Sequence, residues 1–130
     1  MGLAPSSVAL GLADGDTSLD IVTANESSDS VTTRTGSGDG TFFQGIAPRT
    51  ASGRDGPVAV AFANVLSGTP KDLAVVNFGE NSLSIFAASG NGSYFLPNDS
   101  NSNLSVGTNP TAVVVADVDG DSTVDLIVTN

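Results

Sequence analysis

Four aspartates stand at positions 1, 3, 5 and 9 of the run Asp117-Val-Asp-Gly-Asp-Ser-Thr-Val-Asp125. That spacing suits a hard cation. Ca2+ takes about six to eight oxygens at roughly 2.3–2.6 Å, and alternate residues of a tight loop can turn the carboxylates of Asp117, Asp119, Asp121 and Asp125 inward together. The carbonyl of Thr123, at position 7, would add an oxygen, and Gly120 permits the sharp turn. The competing reading is a solvated acidic hairpin, in which four carboxylates repel one another with no counter-cation near. The run is not an EF-hand loop, because it lacks a Glu at position 12 and leads into the strand-like Asp125-Leu-Ile-Val-Thr-Asn130.

A sparser copy lies near the start of the chain. Leu12 takes position 1, and Asp14, Asp16 and Asp20 keep positions 3, 5 and 9, with Ser18 at the carbonyl position. This is a second, poorer calcium candidate. A third copy keeps only its last acid, with Asn64, Leu66, Gly68 and Asp72 in the pattern, and no metal is expected there. Asp72 is instead expected to hydrogen-bond the turn, a role equally open to Asp20 and Asp125.

Other chemistry is sparse. The chain has no His and no Cys, which removes the usual general base, the thiolate nucleophile and disulfides. No catalytic residue is nominated. A hydrolase or lyase using an acid pair such as Asp119 and Asp121 is the competing class, and an architectural spacer is another. Fourteen acidic residues against four basic ones, a formal charge of −10, argue against nucleic acid, since phosphate contacts need clustered Lys and Arg. No apolar stretch approaches the ~20 residues of a membrane-spanning helix. The first residues carry no basic and apolar signal pattern, and their look is that of an excision from a longer chain. Asn25, Asn91, Asn98 and Asn103 each open an Asn-x-Ser/Thr sequon, relevant in a glycosylating source.

The elements that position these residues repeat. Pro5-Ser-Ser-Val-Ala-Leu10, Pro57-Val-Ala-Val-Ala-Phe62 and Pro110-Thr-Ala-Val-Val-Val115 open three units at intervals of 52 and 53 residues. The same shifts align Leu19–Asn25 with Lys71–Asn77 and Val124–Asn130, and Gly38–Phe43 with Gly90–Phe95. Each unit reads as four strands: first strands near 7–13 and 58–63, second strands near 19–25, 71–77 and 124–130, third strands near 30–35 and 82–88, and fourth strands near 41–45 and 93–96. The first strands alternate large with very small side chains, as where neighbouring sheets crowd together. The second are apolar on both faces. Gly36-Ser-Gly-Asp-Gly40 and Gly90-Asn-Gly92 supply hairpin turns. They are not phosphate cradles, because a strand and not a helix N-terminus follows. Phe42, Phe43, Tyr94 and Phe95 are expected to pack within and between units. Residues 46–56 and 97–109 read as loops, and no helix is expected.

The unit resembles the FG-GAP/VCBS repeats of integrin α-subunit heads and many surface proteins. The resemblance rests on Asp117-x-Asp-Gly-Asp-x-x-x-Asp-Leu-Ile-Val-x-Asn130 together with Gly36-Ser-Gly-Asp-Gly-Thr-Phe42. It implies an all-β β-propeller fragment of about two and a half four-stranded blades: repeat one 5–56, repeat two 57–109 and half repeat three 110–130. Calcium would sit between the first two strands of a blade. Such an array leaves edges unpaired, so either the remainder of a larger propeller or a homo-oligomer is expected to complete it. The function implied is a secreted or cell-surface adhesion or interaction module, not an enzyme, with an extracellular protein or glycan as partner.

Overall fold

The short alternating segments pair as antiparallel hairpins, because a strand with one small face and one large face gains most by burying both against neighbouring sheets. The computed structural model describes residues 2–44, 55–66 and 71–130. The first sheet is a meander of β1 (Pro5–Gly11), β2 (Asp20–Asn25), β3 (Ser30–Gly36) and β4 (Phe42–Gln44), in that spatial order. The second repeats it with β5 (Pro57–Ala63), β6 (Asp72–Asn77), β7 (Ser82–Ala88) and β8 (Tyr94–Phe95). The third is the hairpin of β10 (Ala112–Ala116) and β11 (Asp125–Thr129). The only helical element among the described residues is a 3-10 turn at Glu26–Ser28. None of it is long and apolar enough to cross a membrane. Gly45, the end of the expected fourth strand, lies outside the described residues, as do 46–54 of the expected loop and Gly68.

One element was not expected. The stretch 97–109 contains β9 (Asn103–Ser105), which pairs antiparallel with β7 through Leu83↔Leu104. The outer strand of the second sheet is thus split in two, β8 on Ala87 and Ala88 and β9 on Ser82 to Ser84. Between them the chain loops out, pinned where the Ser102 hydroxyl donates to the Pro97 carbonyl at 2.6 Å and the Ile85 N–H donates to the Ser102 carbonyl at 2.8 Å. Main-chain pairing holds β9, and its Ser- and Asn-rich sequence carries almost no apolar signal.

The sheets stack face to face, and the second sheet shows why its strands are apolar on both sides. Val60, Leu73, Val75 and Phe86 join Val22, Ala24 and Val31 of the first sheet in one cluster. The alternate residues Ala59, Ala63, Ala74, Val76, Leu83 and Ile85 join Val113, Val115, Leu126 and Val128 of the third in another. Burying each such Leu, Ile or Phe contributes about 1.5–3 kcal/mol. The approach is tight at Gly11, where a Cβ would lie 2.5 Å from the Phe62 ring. The small residues of the first strands are there to admit the large ones of the next sheet.

The connections between sheets also repeat. Asp29 and Asn81, both in the left-handed region, cap equivalent β-hairpins. The Asp29 carboxylate accepts from Gly56 N–H at 3.0 Å, and the Asn81 side-chain oxygen accepts from Asn109 N–H at 2.8 Å. Gly56 and Asn109 directly precede Pro57 and Pro110 and also have positive φ, so the second and third sheets are each entered through a left-handed residue tied to the previous hairpin.

Candidate metal loops

Each aspartate loop joins the first two strands of a sheet, and its last acid is where the loop is fastened. Asp20 is fully buried; its carboxylate accepts from Ala13 N–H at 2.5 Å and from Gly36 N–H, at the end of β3, at 2.9 Å. Asp72 does the same with Leu66 N–H at 2.8 Å and Ala88 N–H at 3.3 Å. Asp125 accepts from Val118 N–H at 2.9 Å, and among the described residues β11 pairs with β10 alone. The expected turn-bonding role of the last acid is therefore present in all three loops, including the one with no metal pattern. Deleting Asp20 strands two buried N–H groups, at about 1–3 kcal/mol each.

Two loops also bring carboxylates together. One oxygen from each of Asp14, Asp16 and Asp20 lies within 4.8 Å of the others, and so does one from each of Asp117, Asp119 and Asp125. Oxygens bound to one Ca2+ stand no further apart than about 5 Å, twice the roughly 2.3–2.6 Å bond, so both groups fit a shared ion. Asp20 retains lone pairs for a cation while accepting two N–H bonds. The first loop turns at Gly15 (φ 88°) and the third at Gly120 (φ 80°) and Ser122 (φ 72°).

Asp121 stands outside its group. Its carboxylate accepts from both the N–H, at 2.7 Å, and the hydroxyl of Thr123, and these bonds hold its pKa below the ordinary aspartate value. Asp117 accepts from Gly120 N–H at 2.7 Å and Ser122 N–H at 2.9 Å. In the first loop Ser18 N–H donates to Asp16 at 2.7 Å and Asp16 N–H to Asp14 at 3.1 Å. The position-7 residues Ser18 and Thr123 thus serve the loops as donors to the position-5 acid.

The second sheet walls the first loop. Lys71 N–H donates to the Leu12 carbonyl at 3.3 Å, and a Cβ at Gly92 would lie 3.8 Å from the Asp14 Cβ. Buried Tyr94 donates to the Lys71 carbonyl at 3.3 Å. Burial, and then the charges of Asp20, Asp72 and Asp14, push its phenol well above the usual tyrosine range. Among the described residues nothing equivalent stands over the third loop, whose Asp117, Asp119 and Asp121 are exposed.

Two smaller expectations change. Of the four paired aromatics only Tyr94 enters the inter-sheet core, while Phe42, Phe43 and Phe95 are exposed. Phe42 holds the place of Tyr94 in the first sheet, and among the described residues no sheet covers it as the first sheet covers Tyr94. Asn25, the first residue of a sequon, is fully buried, with its amide donating to the Ser30 carbonyl and the Thr32 hydroxyl, each at 3.0 Å. It offers no glycan acceptor in this fold.

No curated protein matches the chain. A family model described as the FG-GAP-like repeat matches residues 71–128, from β6 to β11, including the third aspartate loop but not the first. Residues 71–128 are thus similar to an FG-GAP-like repeat, and with the all-β stacked sheets the match supports a repeat module of propeller type.

Proposed function

We propose that this chain is a calcium-binding, non-catalytic interaction module of an extracellular or cell-surface protein. The observation that carries the reading is the pair of carboxylate groups, Asp14, Asp16 and Asp20 and Asp117, Asp119 and Asp125, each with oxygens spaced for one ion. Ca2+ in either loop neutralises charge that the chain, at −10, has few cations to offset. It also ties the first strand of a sheet to the second at the rim, leaving the hairpin turns and connecting loops free to contact a protein or a glycan. Affinities of ~10⁻⁴–10⁻³ M, the range of extracellular modules, would keep the loops filled outside the cell. The chain has no His or Cys, and its residues are read here as supplying structure and recognition.

Isothermal titration with CaCl2, paired with thermal melts in Ca2+ and in chelator, tests the metal. Binding that raises the melting midpoint, and that Asp14→Asn together with Asp119→Asn removes, is the expected result. A midpoint identical in the two buffers would sink the proposal. Glycan-array and protein-array binding in Ca2+ then separates a recognition module from a spacer.

A further inference from the structure

The hairpin turns of the first two sheets share a backbone and differ in the group at the tip. Gly38-Asp39-Gly40 and Gly90-Asn91-Gly92 stand at the same place in the repeat, and all four glycines have positive φ, 78° and 88° in the first turn, 82° and 78° in the second. Each turn is closed by the same main-chain bond, Ser37 N–H to the Thr41 carbonyl at 3.0 Å and Ser89 N–H to the Ser93 carbonyl at 2.9 Å. In the first, the Asp39 carboxylate accepts from the Thr41 N–H at 2.9 Å and from the Thr41 hydroxyl at 2.6 Å. In the second, the Asn91 side-chain oxygen accepts from Ser93 N–H at 3.1 Å, while the buried Ser93 hydroxyl oxygen has no partner among the described residues. A neutral amide oxygen is a weaker acceptor than a carboxylate. One turn therefore holds an unsatisfied hydroxyl where its counterpart holds a bond.

Asn91-Gly92 is also the one Asn-Gly pair in the chain, and Asn91 is exposed to water. A glycine sets no side chain against the approach of its own nitrogen to the side chain before it. We infer that Asn91 is a modification site, which loses its side-chain amide and becomes an aspartate bonded as Asp39 is. The Gly92 nitrogen gives up its proton and attacks the Asn91 Cγ, the Cγ–Nδ2 bond breaks, and Nδ2 leaves as ammonia, with a cyclic imide left behind. Water then opens the imide at the new Cγ–N bond, returning the proton to Gly92 and leaving a carboxylate. Water is consumed, ammonia is released, and nothing is oxidised or reduced. Ser93 N–H already donates to Asn91 Oδ1, the oxygen on which negative charge develops during the attack, so a stabilising donor is in place beforehand.

The fold also selects the product. Opening the imide at its other carbonyl would route the main chain through the side chain of position 91, as an isoaspartate, and lengthen the turn by a methylene. The Ser89–Ser93 bond and the pairing of Ala88 with Tyr94 close the hairpin tightly around that position. The ordinary aspartate keeps every main-chain bond and gives the Ser93 hydroxyl its acceptor. Because the imide reforms from either product, the ordinary aspartate accumulates in the folded chain. Its charge arises at the wall of the first aspartate loop, since a Cβ at the adjoining Gly92 would lie 3.8 Å from the Asp14 Cβ.

Incubation of the full chain in mildly alkaline buffer, followed by intact mass and by peptide mapping that separates aspartyl from isoaspartyl products, provides the test. The expected result is the mass gain of an –NH2 to –OH exchange, confined to the peptide holding Asn91 and faster as pH rises. Ordinary aspartate should be the main product in the folded chain and isoaspartate the main one in urea. Asn91→Gln, whose longer side chain closes a less favourable ring, should stay unchanged. Asn91→Asp should melt above wild type at ~0.15 M salt, which screens its added charge, and should gain less in a Ser93→Ala background. An unaltered mass at Asn91 in the folded chain, or isoaspartate as the main product there, would overturn the inference. So would a gain in melting temperature that is absent or indifferent to Ser93. A glycan on Asn91, which opens a sequon, would overturn it too, because that nitrogen can no longer leave as ammonia. Every readout can be taken in chelator, so failure here leaves the calcium reading standing.

Discussion

The first and third aspartate loops share their spacing and differ in their surroundings. In the first, Ala13 is 0 % exposed; in the third its counterpart Val118 is 66 % exposed. The first loop has three acids, one fully buried and bonded to β3 and to its own loop, and the second sheet walls it. The third has four acids, the fuller spacing for an ion, and stands open to water. Acid count and enclosure are therefore separate properties. Count sets how much negative charge an ion can neutralise, and enclosure sets how much of the fold is felt when the ion or an acid is removed, because Coulombic interactions are far weaker in bulk water than near a protein wall.

The largest effect follows from the fastening acids. Asp20→Ala strands the N–H groups of Ala13 and Gly36, at about 1–3 kcal/mol each where buried, whereas Asp125→Ala frees an exposed Val118 N–H to water and should cost under about 1 kcal/mol. Urea denaturation of the two variants measures both. Asp72→Ala sharpens the contrast, since that loop has the bonds without the metal group: its loss of stability should be the same in Ca2+ and in chelator, while that of Asp20→Ala should be greater in Ca2+. Equal costs for Asp20 and Asp125 would break the distinction between the loops.

Ion binding gives the next effect. A ligand at about 100 times its Kd stabilises the folded state by ~2.7 kcal/mol. If enclosure governs, Asp14→Asn with Asp16→Asn should abolish most of the calcium-dependent rise in melting temperature, and Asp117→Asn with Asp119→Asn should abolish the smaller part. The reverse order, in the single chain, would mean that acid count outweighs enclosure. Tyr94→Phe removes the bond to the Lys71 carbonyl and should cost about 0.5–1.5 kcal/mol, with calorimetry then showing weaker calcium binding at the first loop only.

The sequence pattern carried the sheets and the aspartate loops well, for physical reasons that can be named. Strands such as Val58–Ala63 and Leu73–Val76 bury both faces, so their apolar content is plain, and the Gly-rich turns take the positive φ their residues allow, at Gly38, Gly40, Gly90 and Gly92. β9 was hidden because main-chain pairing holds it and Leu104 is its one large apolar residue. The ties from Asp29 to Gly56 and from Asn81 to Asn109 were hidden for a different reason: both lie at the repeat offsets, but a polar pair at that spacing announces nothing until the left-handed residues before Pro57 and Pro110 are seen. Enclosure of the first loop was beyond reach as well. It depends on Lys71, Gly92 and Tyr94, more than fifty residues away in the chain.

The smallest effect separates a turn from a metal ligand. Asp39 and Asp121 adopt one geometry, each accepting from the N–H and the hydroxyl of the threonine two residues on, and in each the side-chain bond, then the backbone bond, lowers the pKa below the ordinary 3.8. A carboxylate whose folded pKa is depressed holds its bonds above the unfolded value and loses them as pH falls through the folded one. In calcium-free solution the amide resonances of Thr41 and Thr123 should therefore both titrate below pH 3.8. At neutral pH, added Ca2+ should shift Thr123 and leave Thr41 where it is, because Asp39 belongs to a hairpin turn and to no group of clustered acids. Equal calcium responses of the two amides would show that Asp121 only closes a turn, and would leave the third loop with Asp117, Asp119 and Asp125 as its acids.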